Sequence, residues 1–428
     1  MNKTTATAPK ISAGIWLSLI LLGFAGQLAW GVENQFYNTF MYNEITPDPR
    51  PISWMVSFTA LVSTATAILM GTLSDRTRTR WGRRKPYLIG GYLLWGVFTA
   101  IFPASATFNS ISMGIFIAIL LDSIMSFFGA TANDAAFSAY ITDITTDSNR
   151  GRVTGVLEIV RWVAFLIVYG GAGILIDLIG YSMFFYIIGG VVFIVGLVTI
   201  PLLKEGPLPE EETTGYWQQI ASTFKMENLR GNRAIFLVLI AITLFATSIQ
   251  IFFPYLIIYL QHYVKLEALQ YSLLVAIAIL VGGVMLAYPF GILVDVWGRR
   301  QVAIMSVVLE AAGLFLFSIS KSLPALVLSG ILWLGPMAAW TIATMSWTKD
   351  LFPEDKRGQF AGYYLLFNVF IAMIIGPLIG GWLGSAFGIP TVLDGKPGFI
   401  PTPLIFQVSA AGTLLALIPL LMIKKDKD

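Results

Sequence analysis

A motif that occurs twice between long apolar runs most constrains how this chain folds. Residues 71–85 read GTLSDRTRTRWGRRK, and residues 291–300 read GILVDVWGRR. Each has a glycine, an aspartate four residues on, and then Trp-Gly-Arg-Arg. A second pair recurs in the same order, DITTDSNRGR at 143–152 and DLFPEDKRGQ at 350–359. The offsets, about 207 to 220 residues, are nearly half of the 428-residue chain. One half therefore reads as a copy of the other, each a set of membrane helices. Duplicated half-bundles are the architecture of transporters that alternate access about a midplane site.

Composition agrees: 56% of residues are hydrophobic and only 12% charged, against about 25% charged in a water-soluble domain. Apolar stretches of about 20 residues suffice to cross a bilayer, and twelve can be read. They are 14–43, 52–74, 86–106, 110–141, 151–176 and 181–203, then 232–262, 270–294, 300–320, 324–348, 358–386 and 402–423. The expected fold is an all-α membrane protein of twelve transmembrane helices in two pseudo-symmetric six-helix bundles. The first bundle takes residues 1–203 and the second 232–428. The segment 204–231, with three consecutive glutamates and GPLPEEETTGYWQQIASTF, reads as a solvated linker. Within it, 216–224 has the pattern of a short amphipathic helix lying on the membrane surface.

Basic residues set the orientation. Alternate loops, starting with the N-terminus, hold 22 of the 27 Lys and Arg, including Arg76, Arg78, Arg80, Arg83, Arg84, Lys85, Arg299 and Arg300. The opposite loops hold Arg50, Lys265, Lys321 and Lys396, and Arg161 lies within a span. The positive-inside rule places the first set, and with it both termini, in the cytoplasm. The net charge of +3 is thus a topology signal and gives no support for a nucleic-acid partner. The start, MNKTTATAPK, is a polar tail without the features of a cleaved signal. Cysteine is absent, which excludes disulfides and thiolate metal ligands. The lone histidine, His262, falls at the outer end of span seven and reads as interfacial. No metal or cofactor is called for.

A charge at the bilayer centre costs at least about 2.5–3.5 kcal/mol, so each one kept there needs a reason. The first half keeps Glu33 in span one, Asp122 and Asp134 in span four, and Glu158 and Arg161 in span five; the second keeps only Glu310, in span nine. Where the repeat would match Asp134 and Arg161 stand Thr341 and Asn368. The scaffold is duplicated but the charges are not, so the polar side of a substrate site and the coupling group are expected in the first half. Asp134 and Asp143 are nine residues apart and point to roughly opposite helix faces, whereas Asp122 and Asn133, eleven apart, share one. Glu158 and Arg161 form an i,i+3 pair, which serves either as a neutral buried pair or as part of the site.

The doubled motif has a mechanical reading. Gly71 and Gly291 allow close helix approach. Asp75 and Asp295 can face a helix N-terminus of the other half. Arg83 and Arg299 can pair with Asp143 and Asp350, giving two ion pairs expected to clamp the cytoplasmic side shut.

These residues carry a resemblance. G-x-L-x-D-R followed by G-R-R-K between spans two and three resembles the signature of the major facilitator superfamily, and the likeness covers essentially the whole chain. Within it, DRTRTRWGRRKPY is similar to the loop of sucrose transporters and of the glycoside–pentoside–hexuronide cation symporters. NDAAFSAYITD of span four and GQLAWGVE of span one resemble that group too, the latter placing Gln27, Trp30 and Glu33 at matching sites. The resemblance implies that Asp134 is a sugar ligand and that Arg161 stands near the group's sugar-binding arginine. Gln27 stands near the position of a span-one sugar carboxylate of the melibiose branch and cannot bear charge. The two span-two carboxylates that serve sodium in that branch fall on Ser63 and Ala67. Residues 52–74 contain no Asp or Glu, so a proton is the expected coupling ion, carried by Asp134 or Glu33, with Glu158 a further coupling residue.

A sugar site also needs flat apolar faces and directional polar groups. Trp30, Tyr37, Trp162, Tyr255, Trp340, Tyr363 and Tyr364 are candidates for stacking, and Asn34, Asn133, Gln250 and Asn368 for hydroxyl bonding. The expectation is a monomeric proton-coupled sugar symporter of the bacterial inner membrane. It imports a disaccharide containing α-glucose, such as sucrose or maltose, and is not an enzyme. Two alternatives stay open: an exporter or antiporter of another small molecule, and a non-transporting membrane sensor. Retained midplane charges and both gate motifs argue against the sensor.

Overall fold

The computed structural model describes residues 11–146, 148–205, 215–217, 233–351 and 362–423. Eleven helical segments in them are long and apolar enough to cross a bilayer. The longest, Arg150–Thr199, is two helices joined at Gly180, whose φ of 76° breaks the helical path. The chain therefore makes twelve crossings, as its hydropathy predicts. In order they are α1 (Ala13–Ile45), α2 (Pro49–Arg76), α3 (Lys85–Thr107), α4 (Ile111–Ile144), α5 (150–179) and α6 (181–199). The second half contributes α7 (Arg233–Tyr263), α8 (Ala268–Trp297), α9 (Arg299–Ile319), α10 (Leu323–Leu351), α11 (Gly362–Ala386) and α12 (Leu404–Met422). Most of the segment expected to link the halves lies outside the described residues; Tyr216, which is described, donates to the Leu69 carbonyl.

Helices suit this setting because each satisfies its own backbone where no water is present. Ser12 caps α1, and Asp48 caps α2 with Pro49 in its first turn. Glu267 and Gln270 form a capping box at the start of α8. Crossings are close where side chains vanish: a Cβ on Gly96 of α3 would sit 2.5 Å from the Gly189 carbonyl oxygen of α6. Large apolar side chains such as Ile159, Ile194 and Leu328 stand exposed along the helices, a surface that lipid solvates and water does not. The protein is a multi-pass integral membrane protein.

Hydropathy does not reveal one element, although its Asp-Gly pair is a turn pattern. Between α11 and α12 the chain forms a hairpin of β1 (Ile389–Leu393) and β2 (Lys396–Ile400). It turns through Asp394 and Gly395, both at positive φ, the pairing a tight hairpin turn favours. The Phe399 N–H donates to the Pro47 carbonyl (2.8 Å), so the hairpin docks on the α1–α2 turn of the other half. This end is called the hairpin end below, and the opposite one, where the doubled motif lies, the arginine-rich end.

Candidate functional site

Hydrogen bonds between the two halves gather at the hairpin end. Gln35 Nε2 donates to the Phe253 carbonyl (2.6 Å), and His262 Nε2 meets Asn43 Oδ1 (2.8 Å). Tyr42 Oη donates to the Phe399 carbonyl (2.9 Å) and Lys396 Nζ to the Glu44 carbonyl (2.6 Å). Midway along the bundle, Trp162 of α5 presses on Gly283 of α8, where a Cβ would come within 2.6 Å of its ring. Beyond that contact, toward the arginine-rich end, charged side chains are exposed. Asp134 is exposed, as are Glu158 (48%) and Arg161 (41%). The contacts between the halves thus gather at the hairpin end, and these exposed charges lie on the other side of the Trp162–Gly283 contact.

Asp134 lies on a π-helical stretch of α4, Ala130–Phe137. Such a bulge rotates side chains out of α-helical register and is frequent at functional sites. Asn133 Nδ2 donates to Asp134 Oδ1 (3.0 Å), and its own Oδ1 accepts from Tyr92 Oη (3.2 Å). Asn133 is thus buried and holds the carboxylate in place; it does not face the cavity. The Trp30 side chain of α1 also reaches Asp134. Gln27, Trp30 and Asn34 are all half-buried, and their spacing of three and four puts them on one helix face. Asn34 Nδ2 donates to the Trp30 carbonyl (2.7 Å). On α5, Arg161 Nη2 pairs with Glu158 Oε2 at 2.6 Å, and its guanidinium lies over Trp162 at 5.5 Å. Tyr364 of α11 lies within electrostatic reach of Arg161. Thr341, the repeat position of Asp134, is likewise exposed on α10. A solvated acid and a cation paired with a second acid, flanked by indole rings, can bind a polyhydroxylated solute from several sides.

Four proposed stacking residues are placed elsewhere. Trp340 is buried and stacked on Phe245 at 4.2 Å and 10°, in the core of the second half. Tyr37 is buried among Phe102 and Phe185. Tyr255 is buried and donates to the Pro377 carbonyl (3.0 Å). Tyr363 is buried against Ile235 and Leu239. In each case helix packing claims the ring. Gln250 and Asn368 are half-buried on α7 and α11, and no hydrogen bond ties either to Asp134 or Arg161.

At the arginine-rich end, Arg83 Nη2 donates to Asp143 Oδ1 (2.6 Å), and Arg299 pairs with Asp350. Each pair lies within one half, so neither bolts the halves together; each braces the turn after a motif helix against the end of α4 or α10. Asp75 accepts from Arg84 of its own half and is not aimed across the interface. Asp295 is exposed in a cleft of about 830 Å³ with Arg233, Arg299 and Arg300.

The sequence reading missed the centre of this brace. Arg84, 3% exposed, reaches Asp75, Asp143 (3.1 Å) and Ser74 Oγ (2.5 Å) together. Glu205, just past α6, accepts from the backbone N–H groups of Arg83, Arg84 and Lys85 at 2.5–2.8 Å, capping α3. Gly82 and Gly298 take φ of 101° and 85°, which explains the glycine in both Trp-Gly-Arg-Arg copies. Among the described residues no acid caps the second copy, and Arg300 Nε donates to the Leu420 carbonyl (3.1 Å).

Known proteins agree with this architecture. The sequence pattern of the Major Facilitator Superfamily matches residues 15–287 and 238–428. An uncharacterized MFS-type transporter of Methanocaldococcus jannaschii is 24% identical over 333 residues, covering 77% of this chain and 81% of the relative. A probable nitrate transporter of Staphylococcus carnosus is 31% identical over 123 residues, 28% of this chain and 31% of the relative. A variant of the nucleoside transporter NupG has the same fold, with a TM-score of 0.75 at 16% identity over 96% of this chain and 100% of that one.

Proposed function

We propose that this chain, which belongs to the major facilitator superfamily, is a proton-coupled sugar symporter importing a disaccharide that contains α-glucose, such as sucrose or maltose. The relatives' named cargoes, nitrate and a nucleoside, show that the scaffold does not choose the substrate. The reading rests on the site, and one observation carries it: Asp134 and the Glu158–Arg161 pair are exposed on helices of the first half, while the repeat positions in the second half, Thr341 and Asn368, bear no charge. A carboxylate and a guanidinium fork match the alternating donors and acceptors of sugar hydroxyls. Trp30 and Trp162 supply flat faces beside them. No Asp or Glu lies between residues 52 and 74, which favours a proton over sodium. Proton and sugar bound at adjoining groups raise or lower each other's affinity by the same factor.

By the positive-inside rule the arginine-rich end is cytoplasmic, and the contacts gathered at the hairpin end then correspond to a form closed on the outside, with the protein in a bacterial inner membrane. The chain has no cysteine, so single cysteines introduced at Thr79 and Asp394 report sidedness in intact cells. The decisive experiment is uptake of labelled sucrose and maltose by proteoliposomes. Accumulation is expected under an inward proton gradient, sensitive to a protonophore and indifferent to exchanging sodium for potassium. Sodium-driven accumulation, or export in exchange for another solute, would replace this reading with another ion or with the antiporter.

A further inference from the structure

The first half buries a second acidic site, behind the cavity and about three helical turns from Asp134 toward the hairpin end. Glu33 opens a π-helical turn of α1 and is 8% exposed. Its Oε1 accepts from Ser126 Oγ of α4 at 3.3 Å. Asp122, one turn before Ser126, is 2% exposed, and its Oδ1 has no hydrogen-bond partner. Two further buried hydroxyls lie beside the pair. Tyr37, one turn beyond Glu33 and 1% exposed, lies beside Asp122 and Thr99, and its Oη is unpartnered. Thr99 Oγ1, on α3 and 2% exposed, is unpartnered as well.

Charge arithmetic sharpens the point. At membrane depth the first half carries Glu33, Asp122, Asp134 and Glu158, and a single cation, Arg161. Arg161 is taken by Glu158. Residues 51–74, 86–110 and 181–203 contain no Asp, Glu, Lys or Arg, so α2, α3 and α6 bring no countercharge. The titratable groups that face the pair are Asp134 of α4, Tyr37 of α1 and Tyr169 of α5, with Tyr92 of α3 beside Asp134. None is a cation. Two carboxylates in a dry site cannot both ionise, and an uncompensated buried charge costs several kcal/mol. At least one proton must therefore reside on the pair, and the hydroxyls of Ser126, Tyr37 and Thr99 stand beside it to serve a carboxylate that stays ionised.

We propose that Glu33 and Asp122 form a dyad that takes up and releases the coupled proton, leaving Asp134 to the sugar. The proton bonds to one carboxylate oxygen from water admitted when the hairpin end opens. It returns to water when the interior faces the other way. The proposal deepens the symport reading and rests on its choice of a proton.

Infrared difference spectra of the purified full-length protein in lipid, taken between two pH values without sugar, test the dyad directly. A protonated-carboxyl band is expected that moves in heavy water and disappears or shifts in Glu33→Gln and in Asp122→Asn. It should persist in Asp134→Asn. Ser126→Ala, which removes the donor to Glu33 but neither acid, should shift the band and guards against loss of fold in the other variants. A band unmoved in all three dyad variants overturns the proposal. So does a band abolished by sodium at constant pH, which assigns the site to that ion. In proteoliposomes that accumulate labelled maltose or sucrose, Asp122→Asn should abolish accumulation but keep counterflow exchange. Undiminished accumulation in Asp122→Asn overturns the dyad and leaves the symport reading standing. If the wild type moves neither sugar but the band behaves as expected, the substrate reading fails and the dyad stands.

Discussion

Asn43 and His262 meet at 2.8 Å across the two halves, 219 residues apart in the chain. Gln35 and Phe253 meet at a separation of 218. These separations fall within the range of offsets, about 207 to 220, between the repeated motifs. Helices α1 and α7 therefore touch through equivalent positions, as a two-fold axis between duplicated halves requires. The same Asn43 donates to Tyr181 Oη (2.8 Å) and to Gln261 Oε1 (3.4 Å), so His262 is one member of a closed polar latch.

Loosening that latch should populate forms open at the hairpin end. Asn43→Ala or His262→Ala removes a hydrogen bond worth about 1 kcal/mol, enough to move a two-state ratio about fivefold. Spin-label distances across the hairpin end should lengthen in both variants. Because Asn43→Ala deletes the bond to His262 together with those to Tyr181 and Gln261, the double variant should add little beyond Asn43→Ala; full additivity would show that the two residues act separately.

The brace at the arginine-rich end should depend on Arg84 more than on Arg83. Arg84→Ala leaves Asp75 and Asp143 without their shared, buried cation and is expected to cost about 3 kcal/mol. Arg83→Ala removes a partly solvated pair with Asp143, worth about 0–1 kcal/mol. Thermal unfolding in detergent ranks the two. Equal losses would mean that Asp143 is held by Arg83 alone.

Gly82 and Gly298 share a backbone conformation but not surroundings. At either, an added side chain meets the strain of positive φ, about 1–3 kcal/mol. A Cβ at Gly82 would also lie 2.5 Å from the Glu205 carboxylate, whereas at Gly298 the nearest atom is Gln301 Oε1 at 3.1 Å. Gly82→Ala should therefore lower the unfolding temperature more than Gly298→Ala, and Glu205→Gln should narrow the difference. The reverse order would refute the capping role of Glu205.

Binding and stability should separate between Asp134 and Arg161 on one side and Trp340 on the other. Asp134→Asn and Arg161→Lys are expected to abolish maltose or sucrose binding by calorimetry with unfolding temperatures close to wild type, since both side chains face water. Trp340→Ala should instead destabilise by about 3–5 kcal/mol, as for a large buried ring, while Trp340→Phe keeps binding. Loss of binding in Trp340→Phe would return that residue to the site.

Twelve crossings, two halves and the asymmetry of charge were legible in the sequence, because hydropathy and repetition are local properties that the bilayer reads residue by residue. The partners of Arg83 and Arg299 could be anticipated for the same reason, each acid recurring at the same place in its copy. Tertiary structure alone decided which side chains the cavity receives. Trp30 and Trp340 are alike in sequence, yet one flanks Asp134 and the other is stacked into a core, because ring orientation depends on how neighbouring helices cross. Arg84 and Arg83 are adjacent and alike, but the turn at Gly82 buries one and leaves the other partly solvated. Glu205 and His262 gained their partners only when residues more than 100 positions away folded against them. Asp122 is an isolated acid in the sequence; only the packing of α1, α3 and α4 set it beside Glu33, Tyr37 and Thr99 with no cation to answer it.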